Sequence, residues 1–499
     1  MTFSRRGFLA GLAAAPIAVS AGCALGRPDA PVTGPRPLPI PPLADSAVGA
    51  DGVRRFRLTI APGSTEILPG KHTPTWGVNG PYLGPTLRAR RGEPVAFQIR
   101  NDLPEPTTVH WHGMRVPAAM DGGPHQTIAP GGSWAPSWTI EQQAATLWYH
   151  PHPHGGTEKH GYRGLAGFFL IDDDAADALE LPNDYGVDDI PLVIQDRRFT
   201  ADGALDESDP TDIGLLGDTI VTNGIAGAYF RARTSRIRLR LLNGSSGRLY
   251  NLAFADDREF QVVGTDGGLL PRPIGLTRLQ LSPGERAEIV VPIRAGDRVL
   301  LRALPIENRG DMDPVEAREF GFDDSFDILE LRGATAVKTA ALVPDSLIPR
   351  AAIPAAGAAA NRRFDLQWFQ INHQQMDMNR IDFTVAPEST EVWTVRNVDN
   401  WPHNFHVHDV QFQITEIDGA APPPVLAGWK DTVYTKPGSS YTLVMRFSGH
   451  TDPTYPYMYH CHLLLHEDHG MMGQFLVLGP GQQPAPMSMP MPMSHGGHG

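Results

Sequence analysis

His460-Cys461-His462-Leu463-Leu464-Leu465-His466, followed after four residues by Met471, gathers one thiol, three imidazoles and a thioether into a single short segment. Side chains alternate faces along a strand, so a strand over residues 457–464 points His460 and His462 one way and Cys461 the other. One strand then serves two metal centres. A thiolate with imidazoles and a weak thioether is the donor set of an electron-transfer copper site. Cys461, His466 and Met471 supply three of its ligands, and a further His must come from elsewhere in the chain. A buried inert thiol or a catalytic thiol-imidazole pair would leave most of these histidines without a use.

Three more segments carry histidines in the same rhythm: His110-Trp111-His112-Gly113, His150-Pro151-His152, and Pro402-His403-Asn404-Phe405-His406-Val407-His408. Residues i and i+2 share a face in extended chain, giving same-face pairs 110/112, 150/152, 406/408 and 460/462. One such pair is ordinary. All of them together, beside a thiolate site, point to a multinuclear metal cluster.

The chain also repeats itself. Phe97-Gln98-Ile99-Arg100-Asn101, Leu239-Arg240-Leu241-Leu242-Asn243 and Trp393-Thr394-Val395-Arg396-Asn397 each read as a strand ending in Asn, and each unit later carries a turn, at Pro130-Gly131, Pro283-Gly284 and Pro437-Gly438. Two landmarks that recur in this way predict three copies of one domain. Aligned on the Asn, His110 and His406 occupy equivalent places, and the middle copy has Leu252 there. Domain two therefore reads as a metal-free spacer between two domains that share the cluster. The expected boundaries are 51–175, 185–335 and 362–480, with an Ala- and Pro-rich linker over 336–360.

On these motifs the chain resembles the multicopper oxidases, the family of laccases, bilirubin oxidases and bacterial cuprous oxidases, from about residue 50 to about residue 480. The resemblance implies an all-β fold of three cupredoxin-like Greek-key β-sandwiches and four copper ions. It implies a type 1 copper on His403, Cys461, His466 and Met471, and a type 2 copper on His110 and His406. The two type 3 coppers would take His112, His150 and His462 on one ion, and His152, His408 and His460 on the other. Electrons would enter at the type 1 site and pass through Cys461 to the cluster, where dioxygen is reduced to water. Asp121 and Glu467 match the family's proton-carrying acids. His154, His160 and His469 lie near these segments and are expected outside the ligand set.

A length of 499 residues suits about three domains. Abundant Gly and Pro with little helical periodicity favour β-sandwiches. The net charge of −13 argues against nucleic acid as a partner. Residues 1–35 read as an export signal: Ser4-Arg5-Arg6-Gly7-Phe8-Leu9 and the apolar run after it look like a twin-arginine leader, directing the protein to the periplasm or cell envelope. Ser20-Ala21-Gly22-Cys23 resembles a lipoprotein box, so attachment to a membrane through a lipidated Cys23 is one expectation. Residues 36–50 read as a linker, and the protein as a monomer.

The electron donor is less legible. The tail over 481–499 contains Met487, Met489, Met491, Met493, His495 and His498, soft ligands suited to Cu(I). This favours cuprous ion as the substrate and a role in copper resistance. Asp399 matches an acidic substrate-copper ligand of cuprous oxidases, but Trp401 stands where they have Met, and the linker lacks Met. Small aromatic reductants, as in laccases, are the alternative. From another class, some relatives of this fold lose the coppers and act as interaction proteins in the cell envelope.

Overall fold

The computed structural model describes residues 34–486. The export signal and Cys23 fall outside them but for residues 34 and 35, as does the Met/His segment 487–499.

Alternation in the sequence becomes alternation in burial: in Pro94–Asn101 and Thr390–Asn397 every second side chain is buried. Such strands assemble into six sheets that face each other in pairs. In the first sandwich the sheet containing Arg54–Thr65 and Pro94–Asn101 faces the one containing His110–His112, Ala145–His150 and Gly167–Asp172. Phe56, Phe97, Trp111 and Phe169 form the core between them. The second sandwich packs Arg236–Asn243 and Arg286–Pro292 against Tyr250–Phe254 and Arg298–Leu304, with Leu252 fully buried in its core. The third packs Thr390–Asn397 and Ser440–Arg446 against His403–Val407 and Tyr457–His460, around Trp393, Phe405 and Phe475.

The threefold repeat has a common hydrogen-bonding cause. The Asn101 amide donates to the carbonyls of Glu105 and Ile128, that of Asn243 to Arg248 and Leu281, and that of Asn397 to Trp401 and Thr435. Each Asn oxygen accepts from the backbone N–H two residues on. One buried amide thus ties its own loop to a segment distant in sequence in every copy. The paired turns place Gly131, Gly284 and Gly438 at positive φ, which the Pro-Gly sequence accommodates.

Residues 36–50, expected as a linker, run along two sandwiches: Arg36–Pro37 adds in parallel to strand Ala228–Thr234 of the second, and Ser46–Val48 pairs with Arg54–Thr65 of the first. Leu38, which is buried, fastens this segment. The expected strand over 457–464 stops at His460, and Leu464–Asp468 is helical. That turn brings His466 back toward Cys461, and the alternation of 460, 461 and 462 survives without a ladder.

Candidate metal centre

Cys461 follows the end of strand Tyr457–His460, and His403 opens the strand His403–Val407. The Cys461 Sγ lies 3.8 Å from His403 Nδ1 and 3.5 Å from His466 Nδ1, which are 3.0 Å from each other. His403 Nε2–H donates to Asp399 Oδ2 at 3.2 Å, and His466 Nε2–H donates to the Asp212 carbonyl at 2.9 Å. With the protons held on Nε2, both Nδ1 lone pairs face each other and the sulfur. Lone pairs at that separation repel unless a cation lies between them, so the donor set fits a bound metal. Met471 is fully buried beside them, its carbonyl accepting from Cys461 N–H. Burial pushes the Cys461 thiol up to about 12, and a coordinated cation reverses that cost.

The remaining eight predicted histidines converge in the same way, and all are buried. His110 Nδ1–H donates to the Asp121 carbonyl at 2.9 Å and His406 Nδ1–H to the Asp431 carbonyl at 2.8 Å, leaving both Nε2 atoms buried without a partner. His150 Nε2 lies 3.3 Å from His112 Nδ1 and 3.4 Å from His462 Nε2. His460 Nε2 lies 3.2 Å from His152 Nε2 and 3.3 Å from His408 Nε2. In all of them but His462, the nitrogen turned away from its neighbours sits against an oxygen of the protein. Burial, then neighbouring imidazoles, drives these rings far below the usual histidine range, so they stay neutral and able to ligate. An unpartnered buried nitrogen costs about 1–3 kcal/mol, and a metal ion removes that cost.

Two aspartates organise the cluster as near mirror images. The Asp121 carbonyl takes His110 of its own sandwich and its Oδ2 takes His408 Nδ1 of the third, at 2.6 Å. The Asp431 carbonyl takes His406 of its own sandwich and its Oδ1 takes His112 Nε2 of the first, at 3.0 Å. The rings follow suit: His110 stacks on His408 at 3.9 Å between centroids, and His112 on His406 at 3.8 Å. His112 is the ring turned to present Nδ1, because Asp431 holds its other nitrogen.

Among the described residues Asp121 has no lysine or arginine partner; its Oδ1 is buried and unpartnered, and burial raises its carboxyl to about 6. Glu467 lies against two other rings of the cluster, its oxygens 3.1 Å from His152 Nδ1 and 3.3 Å from His460 Nδ1. Burial, and then the charge of Asp468, raises its carboxyl well above the usual range.

The structure gathers His403, Cys461 and His466 in one group and the eight remaining histidines with Asp121 and Glu467 in another, and it places Met471 beside Cys461 through its backbone. It adds Asp431, Asn404, Asp212 and Arg286. Asn404 stands between His403 and His406, and its Oδ1 accepts from the Cys461 thiol and the His462 N–H; a buried polar residue directly after a candidate ligand was its signal. Asp431 and Asp212 carried none. His160, buried on Glu105 and Thr107, stays outside the cluster.

Comparison with known proteins agrees with this geometry. Family models described as multicopper oxidase match residues 59–176 and 352–480. The chain is 37% identical over 486 residues to the cell division protein FtsP of Salmonella typhimurium, covering 96% of this chain and 99% of that protein. It is 33% identical over 445 residues to multicopper oxidase mco of Staphylococcus haemolyticus, covering 88% and 91%. Among solved structures, a laccase-like multicopper oxidase from Ochrobactrum sp., described as having oxidase activity towards lignin model compounds, superposes with a TM-score of 0.80 at 35% identity, covering 89% of this chain and all of that one. With the fold, the converging ligands and these relatives in agreement, the chain belongs to the multicopper oxidase family.

Proposed function

We propose that this protein is an exported, copper-dependent oxidase that takes electrons singly from small aromatic donors and passes them to dioxygen. In this reading His403, Cys461, His466 and Met471 hold the electron-accepting copper. His110 and His406 hold one cluster copper, His112, His150 and His462 a second, and His152, His408 and His460 a third. Bound there, copper supplies one-electron acceptance at the thiolate and reduction of dioxygen to water at the cluster. What supports this reading is that on every one of these rings but His462 the outer nitrogen sits against a protein oxygen, which leaves the inward-facing nitrogen free of a proton and able to hold a metal.

The residues themselves do the rest. Cys461 is joined by single peptide bonds to His460 and His462, so thiolate and cluster imidazoles share a short covalent path. Asp121 and Glu467 each present a buried carboxyl beside ligand rings, where a proton can be held and released.

The surface above His403 and His466 favours an aromatic donor over cuprous ion. The Asp399 oxygens are taken up by His403 Nε2 and the Trp368 and Trp401 N–H groups, and its side chain is only 4% exposed. Trp368, 57% exposed, and Phe369 form the two-residue turn between Gln367 and Gln370, and Phe369 meets His466 edge-on at 5.2 Å. Trp401 lies 6.2 Å from the same ring. This aromatic platform suits a planar organic molecule, in keeping with the activity towards lignin model compounds of the Ochrobactrum relative. The cuprous reading keeps the support of the Met/His tail. A non-catalytic envelope role has the support of the FtsP relatives, which are named as cell division proteins.

Oxygen uptake with a phenol and with Cu(I), on the full chain and on a chain lacking residues 487–499, separates these readings. Faster uptake with the phenol, unchanged by truncation, is expected. Faster uptake with Cu(I), lost on truncation, would overturn the aromatic-donor reading.

A further inference from the structure

The mirror relation between Asp121 and Asp431 breaks at one residue. Among the described residues Asp121 has no lysine or arginine partner, whereas Asp431 is gripped by Arg286, which strand Arg286–Pro292 of the middle sandwich supplies. Arg286 is fully buried. Its Nη1 donates to Asp431 Oδ1 at 2.7 Å and its Nη2 to Oδ2 at 2.6 Å, the two-point geometry that only a guanidinium provides. Its Nε donates to the Thr146 carbonyl at 3.1 Å, on the strand that ends at His150. One side chain from the middle sandwich therefore touches ligand-bearing segments of both outer ones.

The packing around this grip is tight. Gly113, directly after His112, sits at φ +84°, and a Cβ there would lie 2.5 Å from Asp431 Oδ2 and 2.9 Å from Arg286 Nη2. The Pro283-Gly284 turn leading to Arg286 packs on the His462 ring, where a Cβ on Gly284 would come within 3.1 Å. The Pro283 carbonyl accepts from the Asn404 amide at 2.8 Å. The middle copy lost its ligands but kept its turn, and that turn abuts the metal centre.

We propose that Arg286 is a positioning residue of the metal cluster: by holding both oxygens of Asp431, it fixes the ring tautomer of His112 and the orientation of His406. The middle sandwich is then part of the copper centre rather than a spacer. This inference rests on the copper reading above.

The test compares Arg286→Gln, Arg286→Lys and, as a control, Arg238→Gln, which breaks the buried pair with Glu288 without touching a ligand or Asp431. Each full-length holoprotein is titrated with a chelator while the blue thiolate band, the type 2 EPR signal and total copper are followed. Arg286→Gln is expected to lose cluster copper about 10–100-fold more readily, with an altered EPR signal and the blue band retained. Arg286→Lys keeps the charge without the fork, and an altered EPR signal with copper retained is expected. Arg238→Gln should match the wild type. Wild-type copper retention and EPR in Arg286→Gln would overturn the proposal. So would parallel loss of the blue band and cluster copper in Arg286→Gln and Arg238→Gln, which marks a general folding role. Should Arg286→Gln not fold, an unchanged EPR signal in Arg286→Lys overturns it equally. A wild-type chain with no blue band overturns the copper reading and this inference with it, a result visible before any variant is made.

Discussion

Replacing Asp121 or Asp431 by Asn should have opposite effects on the stability of the copper-free protein, although the two aspartates contact ligands in nearly the same way. Burial raises the Asp121 carboxyl from 3.8 to about 6 in the folded, metal-free chain. A raised carboxyl favours the protonated folded form. Its penalty is therefore absent below about pH 3.8, grows up to about pH 6, and is constant above. About two pKa units at 1.36 kcal/mol each give about 3 kcal/mol. Asp121→Asn is neutral at every pH and escapes this penalty, so it should be more stable than wild type by about 3 kcal/mol at pH 7.5 and equal to it near pH 3.5. With copper bound the advantage should vanish, because the cations favour the carboxylate. Asp431→Asn instead leaves the buried Arg286 without its two-point partner, at a cost of about 3–5 kcal/mol. Urea unfolding of both variants and the wild type, copper-free, at the two pH values is the assay. A less stable Asp121→Asn at pH 7.5, or an Asp431→Asn that unfolds with the wild type, would refute the assignment of distinct roles. In oxygen uptake, Asp121→Asn should lose about 10²–10⁴-fold if the carboxyl carries protons.

Three further outcomes are expected. Cys461→Ser should abolish the blue band and oxygen uptake while the cluster keeps its copper, because the His460 and His462 rings are held by their own contacts; copper counting with absorbance checks this. Trp368→Gly should stabilise the fold by about 1 kcal/mol, since Trp368 sits at φ +51°, yet raise KM for a phenol several-fold, read from melting curves and steady-state kinetics. Lys430→Met strips the cation from buried Asp266 and Glu285, 2.9 and 2.8 Å away, and should cost about 3–5 kcal/mol in urea unfolding.

The convergence of these side chains was legible because metal binding selects residue type and extended chain sets spacing, so the 110/112 and 460/462 pairs declare both chemistry and geometry at once. The three sandwiches were legible because Asn101, Asn243 and Asn397 perform one local task in each copy. What could not be read are contacts set by the packing of sandwich on sandwich. Asp431 is one carboxylate among many until Arg286 of another sandwich meets it. Asp212 acts only through its backbone carbonyl on His466, a role that any residue type could fill. The pairing of Arg36–Pro37 was likewise hidden, because two residues show no period. The aromatic platform was hidden too, because Trp368 and Phe369 look like core residues until a hairpin turn exposes one of them.

If inward-facing histidine nitrogens hold copper that reduces dioxygen fully, protein purified from copper-rich medium will show it when copper per chain is counted and donor electrons consumed per dioxygen are measured. A blue protein with four coppers that takes four electrons per dioxygen and releases no hydrogen peroxide is expected. A colourless, copper-free protein that consumes no dioxygen with any donor would contradict it and leave the envelope-interaction reading in its place.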